Sequence, residues 1–126
     1  MPEETEPSAP EEYMDFEKLK SKVRHFVRER DWEKFHTPKD LAISISVEAA
    51  ELLEIFQFMT EEQMKNVRDN KVIMESIHGE LADILQYCFG MANALGISLS
   101  EAVDRKMELN EKRYPKDKFR GIWKKE

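Results

Sequence analysis

Cysteine is almost absent. Cys88 is the only one, so no disulfide can close within the chain, and its place in an apolar run marks it as a buried structural thiol rather than a nucleophile. Glycine fills 4 positions and proline 5, too few for the turns of a many-stranded sheet protein. No run approaches the roughly 18 apolar residues needed to span a bilayer, and the N-terminus is acidic where a secretory signal would be basic and then apolar. A cytoplasmic protein with no membrane partner is the expectation. Positive charge is also in deficit: the net charge of -6 argues against nucleic acid as a partner, because a protein that coats its backbone needs a dominant basic surface. What remains is a chain of 126 residues, the size of one domain, in which 37% of the residues are charged. Such a composition suits long helices with polar outer faces, and the expected class is all-α.

Residues 1–14 begin MPEETEPSAPEE, rich in proline and glutamate and without a large apolar side chain after Met1, so they read as a disordered acidic tail. The pattern changes at Tyr13. Phe16, Leu19, Val23, Phe26 and Val27 recur at helical spacing up to the polar break RERDW, which gives a first helix. Thr37 followed by Pro38 is an N-cap with proline at the first helical position, and the apolar run from Leu41 to about Met59 gives a second. TEEQMKNVRDNK can be a short helix, capped by Thr60 and Gln63, or a loop. A long third helix runs from about Val72 to Leu95, stopped by Gly96, and Ser98 with Glu101 caps a last one that ends before Pro115. Residues 116–126 form a basic tail that is either flexible or folded back through Phe119, Ile122 and Trp123.

In the third helix Ile73, Ile77, Leu81, Ile84, Cys88, Met91 and Leu95 form a seam of alternating four-and-three spacing, with Glu80, Asp83 and Tyr87 in the strip beside it. The matching seam of the second helix is Leu41, Ile45, position 48, Leu52, Ile55 and Met59, so Glu48 stands where an apolar residue belongs. A carboxylate there must be protonated, meet a cation or bind metal. Glu48 with Glu51, and Glu80 with Asp83, each share a helix face, and no lysine or arginine lies within either inner stretch. One such acid pair usually belongs to a solvated surface; two pairs on two apolar helices point to a divalent ion. An all-oxygen set suits Mg²⁺, with Mn²⁺ able to substitute, and Mg²⁺ points in turn to phosphate chemistry. Glu75 and His78 make a single ExxH, short of the two that a di-iron bundle requires, so His78 reads as surface or structural. His36 lies beside the cap of the second helix, where a ligand can touch it, and Glu54 reads equally as a supporting or a surface residue.

The ExxE of Glu48 and Glu51, followed after 28 residues by the ExxD of Glu80 and Asp83, resembles the motif of the MazG-like all-α nucleoside triphosphate pyrophosphohydrolases. RDWEKFH at 30–36, ELLEIFQF at 51–58 and KMELNEKRYP at 106–115 are similar to the dCTP pyrophosphatase branch, over a domain of residues 15–115. The resemblance implies a four-helix MazG-like bundle that assembles as a homodimer or a dimer of dimers. It also implies Mg²⁺-dependent hydrolysis of dCTP or a modified dCTP to the monophosphate and pyrophosphate, a house-cleaning of the nucleotide pool. It carries metal binding onto Glu48, Glu51, Glu80 and Asp83, with Glu48 or Glu51 orienting the attacking water. Tyr87, Lys106 and Asn110 match nucleotide-facing positions, while Trp32 and Phe58 match two aromatic residues that clamp the base, phenylalanine here replacing a second tryptophan. A histidine that helps hold the base in that branch is Val23 here. Other readings stay open: a non-catalytic helical dimerisation or nucleotide-sensing module, or a pyrophosphohydrolase for another nucleotide.

Overall fold

Residues 13–123 are described here from a computed structural model. Their regular elements are all helices, with no strand among the described residues, as the composition leads one to expect. The acidic tail expected over 1–14 falls outside the described residues except for Tyr13 and Met14, and the last three residues of the basic tail fall outside them as well.

Six helices succeed one another, each begun or ended by a local device. Asp15 accepts a hydrogen bond from Lys18 N and opens α1, Phe16–Glu29. A turn through Asp31, one of few residues with positive φ, at 53°, leads to a 3₁₀ turn over Glu33–Phe35. Thr37 caps α2, Pro38–Phe56, by accepting from Asp40 N at 3.2 Å. This helix stops three residues short of Met59, because Thr60 must be extended to cap the next helix. The Thr60 and Gln63 capping box forms with both of its bonds, so the polar connector begins as the short helix α3, Glu61–Lys65, and continues as a 3₁₀ turn over Val67–Asp69. Asn70, a cap that the periodicity does not reveal, starts α4, Lys71–Leu95, and Gly96 ends it with φ 68°. Ser98 caps α5, Leu99–Arg113, and the start of the basic tail turns into α6, Lys116–Phe119, with Phe119 edge-on to Tyr114. Trp123 takes no part in that fold-back; it is 90% exposed.

α4 is the centre, with α2 and α1 both packed along it and α5 without a comparably packed partner. Among the described residues the buried apolar ones are Val27, Leu41, Phe89 and Ala92. Phe16 meets the face of Phe89 edge-on at 5.3 Å. At Gly90 a Cβ would lie 3.3 Å from Leu41 Cδ2, so the missing side chain is what lets α2 come this close. The expected seam of α4 is only partly covered: Leu81 and Leu95 are 48% and 54% exposed, while Phe89 and Ala92, on the flank toward α1, are buried instead. The spacing identified an apolar stripe, but α1 approaches from its side. Cys88 is half-buried rather than buried, and desolvation pushes its thiol above the usual range, which keeps it unreactive.

Candidate metal centre

The packing of α2 on α4 carries the acids. Glu48 and Glu51 are one turn apart on α2, Glu80 and Asp83 one turn apart on α4, and facing helices at close range bring their side chains together. One carboxylate oxygen each of Glu48, Glu80 and Asp83 lies within 4.8 Å of the others. Glu48 and Glu80 are half-buried. Their Oε2 atoms are fully enclosed and accept no hydrogen bond. Two ionised carboxylates have only acceptors to offer each other, so this pair must share a proton or a cation.

The crowding shows in the proton affinities. A hydrogen bond shared with Glu80 holds the Glu48 carboxyl above its ordinary value, with burial and the charges of Glu80 and Asp83 adding to the rise against a lowering by Glu51. Glu51 is raised first by its hydrogen bond with Glu48 and then by that neighbour's charge, with Glu54 contributing from the next turn. No cation among the described residues pairs with these acids: the ion pairs there lie on α1, in the turn after it and on α5. The enclosed, unpaired oxygens of Glu48 and Glu80, with the exposed carboxylates of Asp83 and Glu51 beside them, fit a hard divalent ion.

The other expected residues divide into two groups. Tyr87 stands one turn beyond Asp83, and the ring of His36, delivered by the 3₁₀ turn, meets it at 6.5 Å between centroids. Trp32 packs edge-on against Phe26 at 5.8 Å. Phe58 is 89% exposed and meets no aromatic ring among the described residues, so a clamp with Trp32 is not closed within one chain. Lys106 and the half-buried Asn110 sit on α5, which packs less extensively than the trio of α1, α2 and α4. Asn93, on α4, drew no notice in the sequence. Its amide oxygen is buried without a partner, and the signal available was a lone polar residue in the apolar stretch MANAL.

The family profile described as MazG-like matches residues 43–126. The chain belongs to the MazG-like family. It is 38% identical over 100 residues to dCTP pyrophosphatase 1 of Bos taurus, covering 76% of this chain and 57% of that protein. To dCTP pyrophosphatase 1 of Homo sapiens it is 37% identical over 94 residues, covering 71% and 53%. The chain thus spans about half the length of these curated relatives. The crystal structure of a pyrophosphatase from Archaeoglobus fulgidus superposes with a TM-score of 0.74 at 40% identity, over 85% of this chain and 98% of that one. The match to the family profile starts inside α2, so it contains all four acids of this MazG-like chain but neither Trp32 nor His36.

Proposed function

We propose that this MazG-like chain hydrolyses a deoxynucleoside triphosphate, with dCTP or a 5-modified dCTP preferred, to the monophosphate and pyrophosphate in the cytoplasm, using Mg²⁺. The enclosed, unpartnered oxygens of Glu48 and Glu80 beside Asp83 carry the reading: such a group of acids is costly unless a cation belongs there. The names of the dCTP pyrophosphatase relatives and of the pyrophosphatase neighbour support the reaction type. Glu48, Glu51, Glu80 and Asp83 hold the ion. When bound, the ion neutralises charge on the phosphates and lowers the pKa of the water that attacks phosphorus. Glu48 or Glu51 orients that water as base. Tyr87 and His36 border the sugar, Trp32 and Phe58 stack on the base, and Lys106 and Asn110 bond phosphate or sugar oxygens.

A second copy completes the site in this reading, as a homodimer or a dimer of dimers. Val103, Met107 and Leu109 on α5 are 54%, 55% and 58% exposed, and Leu81 and Leu85 leave an apolar strip along α4. Pairing these surfaces covers both and carries α5 of one copy to the acids of another. A panel of the four dNTPs and dUTP, assayed for pyrophosphate with Mg²⁺ and with Mn²⁺, tests the activity. Hydrolysis of dCTP, with at least one other dNTP accepted within about two orders of magnitude, is expected, because stacking tolerates every base. No hydrolysis of any of them would leave a nucleotide-sensing or dimerisation module.

A further inference from the structure

A cleft of about 380 Å³ opens between α1, the 3₁₀ turn and α4. Val23, Val27 and Gly90 give it an apolar floor, and Arg24, His36, Asn93 and the ion-paired Arg28 and Glu33 supply its polar groups. Asn93 Nδ2 donates to the Lys20 carbonyl at 3.0 Å, which fixes the amide, since the reverse orientation would set two oxygens against each other. Its Oδ1 is then a buried acceptor with no donor among the described residues. Leaving such a group unpaired is destabilising, so it marks a place where a donor is expected. The cleft is also joined to the acids. His36, which lines it, meets Tyr87, and Tyr87 is one turn from Asp83. From Asp83 to Asn93 is ten residues, about 15 Å along the helix, a span that an extended nucleotide bridges with its phosphates at one end and its base at the other.

We infer that Asn93 reads the base. Resting on the activity proposed above, its Oδ1 accepts a hydrogen bond from the exocyclic amine of cytosine or adenine and meets only a like acceptor in uracil or hypoxanthine, which carry a carbonyl at that position. Arg24, which makes no ion pair among the described residues, supplies a donor for the base's acceptor edge.

The test compares kcat/KM within two pairs, dCTP with dUTP and dATP with dITP, for the full chain and for Asn93→Leu and Asn93→Ala. The unaltered chain favours the amine of each pair by at least about tenfold, the scale of one hydrogen bond to a buried acceptor. Both variants bring the ratios to near unity while kcat on dCTP persists, and melting curves confirm that they fold. Unchanged ratios would overturn the inference and leave Asn93 satisfied from within the protein, for instance by Arg24. If the unaltered chain hydrolyses nothing, the proposed activity fails, and base reading is judged by binding alone: the Asn93 side-chain amide signal in a ¹⁵N-labelled chain shifts with dCMP and not with dUMP. Equal shifts, or none, would overturn it.

Discussion

α2 paired with α4 and the loosely packed α5 carry the two halves of the proposed site, and they are joined to the fold very differently. The acids are held by two long helices packed along their length, with Gly90 and Leu41 in close contact. Lys106 and Asn110 ride on a helix whose Val103, Met107 and Leu109 are more than half exposed and which lacks a comparable partner. In the proposed reading the metal half is built before any assembly, and the nucleotide half is completed by it. Charge density demands rigidity where carboxylates are forced together; recognition of a flexible triphosphate can wait for a second chain.

The largest effect should come from breaking the preformed half. Glu48→Gln or Asp83→Asn is expected to lower pyrophosphate release by at least about a hundredfold, since even residues behind metal ligands cost ten- to a hundredfold. In the absence of metal the same variants should melt higher, because each removes a crowded charge. Near-normal turnover of both at saturating Mg²⁺ would sink the four-carboxylate centre.

The assembled half is tested by mixing subunits. Glu80→Gln and Lys106→Ala chains, each inactive alone, should regain about a quarter of normal activity after joint refolding if α5 serves a partner's site, because half of random dimers are mixed and carry one intact site. Val103→Asp should shift the light-scattering mass toward the monomer and lower activity with it. A mixture as inactive as its components would place Lys106 outside any shared site.

Trp32→Ala sharpens the comparison by acting on binding alone: KM rises about ten- to a hundredfold, the worth of one stacked base, and kcat holds. Unchanged KM and base preference would remove Trp32 from the clamp.

The smallest effect is in pH. Glu48 and Glu51 have folded-state proton affinities above the ordinary value of 4.5, so the folded chain binds more protons than the unfolded one and metal-free stability falls as pH rises. The Tm gap between metal-free Glu48→Gln and the unaltered chain should be widest near neutrality, on the order of a few degrees. It should close as pH drops through the raised values toward 4.5. A gap independent of pH would mean that the cluster is not strained by charge.

Much of the helical layout was legible because each boundary is a local bond. Thr37, Thr60 and Ser98 accept from the amide three residues on, and Gly96 adopts the left-handed turn that other residues resist. The acids were legible because Glu48 breaks an apolar row, and a broken row is visible without neighbours. The buried flank of α4 was not: periodicity shows that a stripe exists and says nothing about the direction from which α1 arrives. The placement of α5 escaped for a related reason, since its own sequence is satisfied by any apolar surface. Asn93 escaped because one amide near a helix end usually reaches solvent, and only the fold shows its oxygen enclosed.

Gly90 makes a selection at a distance. It lies ten residues past Glu80, about 15 Å up the helix, yet the separation of α2 and α4 there sets the separation of Glu48 and Glu80 lower down. An added methyl group would lie 3.3 Å from Cδ2 of Leu41, which is 1% exposed, so that side chain would have to give by a few tenths of an ångström. In the proposed reading, the room for a cation depends in part on a residue that touches none. If a cation binds there as proposed, alanine at position 90 would wedge the pair apart and move its preference from smaller ions toward larger ones.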